Sequence, residues 1–112
     1  MQLAFFSANA LPDSILVRWE TVSEINNAGF NVYRSDSPAG QKTRLNFGLI
    51  PSKAPGSPLG FPYSYMDSTA RAGRTYYYWL EDLSLGGWYT MHGPVAAALR
   101  ARGRRPPATA SA

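Results

Sequence analysis

The sequence predicts an all-β protein, a seven-strand antiparallel β-sandwich. Three observations lead there. Apolar residues recur at every second position in run after run, with turn residues between the runs. No long stretch carries a 3.6-residue period with caps at its ends. Residues 51–62, PSKAPGSPLGFP, hold four prolines and two glycines, too many for the interior of any element.

Taken in order, Leu3 to Ala8 makes the first strand. Pro12-Asp13-Ser14 turns the chain, and Ile15, Val17 and Trp19 then alternate with Leu16, Arg18 and Glu20 as a half-buried strand. Ser23 to Asn27 has room for one helical turn and nothing longer. Phe30, Val32 and Arg34 alternate with Asn31 and Tyr33, between the turn-rich Asn26-Asn27-Ala28-Gly29 and Ser35-Asp36-Ser37-Pro38-Ala39-Gly40. Thr43 to Asn46 reads as a short edge strand, and the proline-rich 51–62 stretch as a long surface connection. Tyr63 to Asp67 resumes a strand. Thr75 to Asp82 is the most strand-prone run in the chain. Leu85-Gly86-Gly87 is a hairpin turn, and Tyr89 to Leu99 the last strand, with Gly93-Pro94 marking a bulge or an edge position. Alanines 96–98 sit between Gly93-Pro94 and Gly103, which leaves little room for a helix.

Composition limits the function. Eleven Lys and Arg against seven Asp and Glu give a formal charge of +4. Four of the bases, Arg100, Arg102, Arg104 and Arg105, fall in residues 100–112, which hold no acid; the first 99 residues are balanced. A basic domain-wide nucleic-acid surface is therefore not expected. The division is a sandwich over 1–99 and a basic Pro/Ala-rich linker or tail over 100–112. That tail has three readings: a linker, a salt-sensitive polyanion-binding segment, or a stretch beside a membrane anchor. The absence of cysteine removes disulfides, thiolate metal sites and thiol nucleophiles. No apolar run approaches the ~20 residues of a membrane span. The start, MQLAFF, lacks the features of a signal peptide, so the expectation is a cytosolic protein or a piece of a longer secreted chain.

Catalytic constellations are hard to assemble. His92 is the one histidine, and its sequence neighbours Met91 and Gly93 supply no base and orienting partner. Glu20, Glu24, Glu81 and Asp82 are carboxylates available for glycoside chemistry, but strand-end acids commonly serve solubility. Gly86-Gly87 precedes Trp88 in a hairpin and so forms no phosphate loop. Glu24, Asn26 and Asn27 offer oxygens to calcium with only one carboxylate among them; a loop bonding its own backbone through the asparagines is the better account. No cofactor is expected.

Specific residues match a known pattern. Val17-x-Trp19-Glu20-Thr21-x-Ser23-Glu24-Ile25-Asn26-Asn27-Ala28-Gly29-Phe30 runs into Val32-Tyr33-Arg34-Ser35; later come Ala72-Gly73-Arg74-Thr75-Tyr76-Tyr77-Tyr78-Trp79-Leu80 and Gly93-Pro94-Val95. Over about residues 3–99 the chain resembles a fibronectin type III domain of the variety found in bacterial secreted and cell-surface proteins. The resemblance implies an immunoglobulin-like sandwich with Trp19 in the core. It also makes Tyr76 the tyrosine corner, its hydroxyl bonded to backbone at the preceding turn. With Tyr76 inward, alternation places Tyr78 and Leu80 inward beside Trp19, Phe30 and Val32, and turns Tyr77 and Trp79 out.

In the family's arrangement the strands of Tyr33 and Tyr77 share a sheet. Tyr33, Tyr77 and Trp79, extended by Tyr89 or Met91, then form an aromatic stripe on its outer face. The stripe has three readings: cross-strand pairs that cover the sheet, a contact with a protein neighbour, or a platform for sugar rings. The functional expectation is a non-catalytic spacer, accessory or assembly module of a bacterial extracellular or cell-surface protein. Its partners would be neighbouring domains or identical subunits, and possible further partners are surface glycans. No specific nucleic acid is expected, and membrane contact only through an anchor elsewhere in the parent chain. Two alternatives stay open. One is a surface-fibre subunit whose first strand (Leu3, Phe5, Phe6) pairs with the next copy; the other is a carbohydrate-binding module attached to an enzyme.

Overall fold

A computed structural model describes residues 1–100; the linker or tail assignment, from residue 101 on, lies outside the described residues. Strands run β1 (Gln2–Ala10), β2 (Ile15–Ser23), β3 (Asn27–Ser35), β4 (Thr43–Arg44), β5 (Ile50–Pro51), β6 (Pro62–Asp67), β7 (Thr75–Ser84) and β8 (Tyr89–Ala98). They build two antiparallel sheets. The smaller has the order β1-β2-β6; the larger has β4-β3-β7-β8, with β5 also on β3.

The eighth strand comes from the edge of the larger sheet. Residues 43–51 run along β3, but Asn46 interrupts the ladder. Its Oδ1 accepts from the Val32 N–H (2.7 Å), and its Nδ2 donates to Asn31 Oδ1 and the Gly48 carbonyl, both at 2.8 Å. A side chain thus takes the place of backbone and splits one edge into β4 and β5. The intervening Phe47 is thrown fully into solvent. Pro51, which lacks a donor, is tolerated in β5 because an edge strand bonds on one side only.

The inward stripes meet between the sheets. Ile15, Val17 and Trp19 of β2 face Phe30 and Val32 of β3 and Tyr76, Tyr78 and Leu80 of β7, and all are buried. Trp19 stacks on Tyr63 (centroids 5.5 Å apart, planes 2° apart), and Phe30 meets both edge-on at 5.3 and 4.8 Å. Such aromatic pairs add about 0.5–1.5 kcal/mol each beyond the area they bury. Before β7, the Arg71 N–H donates to the Tyr76 hydroxyl (2.9 Å), the tyrosine-corner bond.

The single helical turn for which Ser23–Asn27 had room does not form. β2 extends to Ser23, β3 starts at Asn27, and Asn26 takes φ 60°, a left-handed conformation that asparagine tolerates. Nor do the asparagine side chains serve their own backbone: Asn27 Nδ2 donates to Glu24 Oε1 (2.7 Å), whose carboxylate is buried. β1 pairs with β2 from Gln2 to Ala10, and Leu3 and Phe6 pack against the core. β1 is an edge strand of the smaller sheet, so edge pairing with another copy, as in the fibre reading, leaves those pairs in place.

Candidate functional site

The outer face of the larger sheet can be read row by row from its register. Asn31, Tyr33 and Ser35 on β3 lie beside Glu81, Trp79 and Tyr77 on β7, and Gly29 lies beside Leu83. On β8, Ala96 flanks Tyr77, Met91 flanks Glu81 and Tyr89 flanks Leu83. The ladder shifts register between Tyr78 and Leu80, opposite Gly93-Pro94, the position the sequence marked as a bulge or an edge position. The four candidate contact residues, Tyr33, Tyr77, Trp79 and Tyr89, therefore share this face. They do not share one environment.

The half of the face around Tyr33, Tyr77 and Trp79 is closed by polar contacts within the sheet. Tyr33 OH and Asn31 Nδ2 both donate to Glu81 Oε1 at 3.0 Å. Burial and the bond to Glu81 push the Tyr33 phenol above its ordinary range. Trp79 Nε1 donates to Ser35 Oγ (3.1 Å), and the Lys42 ammonium sits 4.1 Å from the centroid of the Trp79 ring. All three rings are half-buried. A ring with a cation over its face offers that face to no sugar.

The other half is open. Tyr89 is 61% exposed beside Leu83. Leu49 covers Gly29, where a Cβ would lie 2.9 Å from Leu49 Cγ. Beyond Leu83 the hairpin carries Leu85 and Trp88, 58% and 77% exposed. Backbone and side-chain bonds hold this hairpin. Ser84 N–H donates to the Trp88 carbonyl (2.8 Å), Trp88 N–H to Ser84 Oγ (2.9 Å), and Leu85 N–H to the Asn26 carbonyl (3.3 Å). Gly87 supplies the φ of 91° that closes the turn. Ile25, exposed, flanks the same corner. Ile25, Leu49, Leu85 and Trp88 were not singled out by sequence reasoning; the one available signal was a tryptophan directly after Gly-Gly in a hairpin.

The candidate catalytic groups are dispersed. His92 does find an orienting partner, contrary to expectation from its neighbours in sequence: Asp82, across the β7–β8 ladder, places Oδ2 2.5 Å from His92 Nε2. Among the described residues no hydroxyl is hydrogen-bonded to that imidazole, so the pair lacks a nucleophile to activate. Glu20 lies exposed on the outer face of the smaller sheet, Glu24 is buried, and Glu81 is held by Tyr33 and Asn31; no two of them form a working pair. Among the described residues no three metal-ligating side chains cluster. A shallow depression on the smaller sheet is lined by Leu16, Arg18, Lys53, Pro62, Tyr63 and Ser64. There the Lys53 ammonium already bonds the Pro62 carbonyl (2.5 Å) and lies 5.0 Å from the Tyr63 ring centroid.

No protein-family model and no curated protein sequence matches the chain. Solved structures do. Pectate lyase PelI from Erwinia chrysanthemi, in complex with tetragalacturonic acid, matches at TM-score 0.64 and 16% identity, over 87% of this chain and 28% of that one. A Fn3-like protein from Clostridium thermocellum matches at TM-score 0.62 and 18% identity, over 95% of this chain and 97% of that one. Pectate lyase Pel3 from Pectobacterium carotovorum matches at TM-score 0.59 and 21% identity, over 88% and 28%. The chain thus spans little more than a quarter of each lyase, and nearly the whole of the Fn3-like protein. Sheet order, tyrosine corner and this full-length neighbour agree: the chain has the fold of a fibronectin type III-like β-sandwich.

Proposed function

We propose that the chain is a non-catalytic module, a spacer, accessory or assembly unit of a bacterial extracellular or cell-surface protein. Its work is contact with neighbouring domains or identical subunits. The observation that carries this reading is the open half of the larger sheet's outer face, where Leu49, Leu85, Trp88 and Tyr89 are exposed on a hydrogen-bonded frame. Exposed apolar surface of this kind marks contact sites. That a unit of this fold makes up 28% of two lyase chains supports a modular role. The test is a photo-crosslinking amino acid at position 88, introduced in the source bacterium. A defined product with a neighbouring domain or an identical subunit, in culture fluid or at the cell surface, is expected; no product, or a protein confined to the cytoplasm, overturns the reading. Purified protein should release no unsaturated product from polygalacturonate.

A second reading rests on Trp88 alone, whose largely free indole is a plane on which a sugar ring can stack. Retardation in gels containing polysaccharide, abolished by Trp88→Ala, is its signature; unretarded migration in every polysaccharide removes it.

A further inference from the structure

We infer that the open corner is an isologous interface: two copies of this chain meet there, Trp88 and Tyr89 of one against the same patch of the other. The inference rests on the contact-module reading and names the partner. Three observations carry it.

The first is charge. The segments that build the corner, residues 25–30, 49–52 and 83–90, contain no charged side chain. The bases lie elsewhere. Lys42 lies over Trp79 in the closed half, and Arg44 donates to the Phe47 carbonyl (3.3 Å) on the far edge of β3, while Arg71, Arg74 and Arg100 lie at the opposite end, where Leu99 is bonded to the residue 73–74 backbone. An acidic protein or an anionic membrane would be drawn to that other end, since both need bases beside the apolar groups. An interface between identical surfaces must be compatible with itself, and an uncharged patch meets its own copy without repulsion.

The second is area. Trp88 and Tyr89 are 77% and 61% exposed, and such rings cover roughly 150–250 Å² each when fully buried. With Ile25, Leu49 and Leu85 also exposed around them, the corner falls below the roughly 800 Å² per partner of a standard interface and suits a weak dimer. Depletion of charge at the centre, with aromatic residues there, is the composition such interfaces have.

The third is rigidity. Gly86 lies against the indole, an added Cβ there falling 3.5 Å from Trp88 Cδ1, and the hairpin is bonded to itself and to Asn26. The backbone that presents these side chains therefore has little ordering entropy left to lose on association.

The experiment is sedimentation velocity of the full 112-residue chain from micromolar to hundreds of micromolar, with Trp88→Ser, Leu85→Ser and Met66→Ser beside it. Met66 is an exposed apolar residue of the other sheet and controls for general stickiness. A dimer is expected, weakened at least tenfold by Trp88→Ser and measurably by Leu85→Ser, unchanged by Met66→Ser, and as strong in high salt as in low. A monomer at every concentration overturns the inference, as does a dimer that Trp88→Ser leaves intact or that salt dissolves. Co-sedimentation with anionic vesicles through Trp88 also overturns it. If the chain is monomeric while position 88 still crosslinks to a different domain, only the choice of partner falls. If crosslinks are missing as well, the module reading falls with it.

Discussion

Glu24 and Asp67 are both buried carboxylates, one at each end of the sandwich: Glu24 follows the last residue of β2, and Asp67 pairs with its first, Ile15. Their surroundings differ. Asp67 Oδ2 accepts from Arg34 (2.9 Å) and from Tyr78 OH (2.6 Å), while Oδ1 accepts from the Thr69 backbone (3.1 Å) and hydroxyl (2.7 Å). Glu24 is held by neutral donors. Oε1 accepts from Asn27 Nδ2 and Ser52 Oγ, each at 2.7 Å, and Oε2 from the Thr21 hydroxyl. One end neutralises its charge with an opposite charge, the other surrounds it with neutral dipoles. In both, burial pushes the acid's pKa up, and bonds to the ionised form outweigh it. For Asp67 these come from Tyr78, Thr69 and Arg34, and for Glu24 from Thr21, Ser52 and Asn27, so both carboxyls end below their usual range.

The largest expected effect breaks the Asp67 end. Asp67 accepts all four of its bonds, so Asp67→Asn turns an NH₂ toward a donor and leaves Arg34 without its counter-charge. Removing one member of a buried pair costs about 3–5 kcal/mol, and Arg34, 21% exposed, places this change at the lower end. Urea unfolding should show a fall of about 3 kcal/mol, against a fall below about 1 kcal/mol for Glu24→Gln. In Glu24→Gln the new side-chain amide can donate to Thr21 Oγ1, which also accepts from Phe61 N–H, while the carbonyl keeps Asn27 and Ser52. Equal losses at the two ends would remove the distinction between them.

Acid should act on both ends in the same direction. Each folded carboxyl has a pKa below its usual value, 4.5 for glutamate and 3.8 for aspartate. The stability each contributes is therefore full above those values and lost as pH falls through the folded pKa. Unfolding free energy measured from pH 6 downward should hold until about pH 5 and then decline. The Glu24→Gln protein should decline less steeply; an unchanged slope would show that Glu24 contributes nothing to acid sensitivity.

A smaller effect belongs to the corner that braces the Asp67 end. Tyr76→Phe removes one bond to the Arg71 N–H and should lower stability by about 1 kcal/mol. Tyr78→Phe, which removes a bond to a charged acceptor, should cost about 1.5–3 kcal/mol. Reversal of that order, in the same urea series, would mean that the carboxylate is satisfied without Tyr78.

These polar centres were the least legible part of the sequence. Alternation told which side of β7 Tyr76, Tyr78 and Leu80 occupy, because it depends only on the two-residue period of a strand. It says nothing about what lies across the sandwich. Arg34 and Asp67 are 33 residues apart, Glu24 and Ser52 are 28, and the pairing of His92 with Asp82 depends on a cross-strand register that no local pattern encodes. The aromatic stripe was legible as a face for the same reason that the core was. Its division was not: whether Trp79 lies under Lys42 depends on the course of an edge segment, and whether Trp88 stands free depends on the hairpin beyond the sheet.

The smallest expected effect tests that division. Lys42→Gln removes the cation above Trp79 at an exposed edge, a contact worth about 0.5–1 kcal/mol. Stability should drop by no more than that, and tryptophan emission should change as the ring loses its neighbour. Trp88→Ser, by contrast, should leave stability within about 0.5 kcal/mol, because the residue is 77% exposed and the turn bonds involve its backbone. The closed half of the face then behaves as part of the fold, and the open half as surface that the fold does not need. A Trp88→Ser protein that unfolds several degrees earlier would place Trp88 with the closed half, among the residues that hold the sheet together.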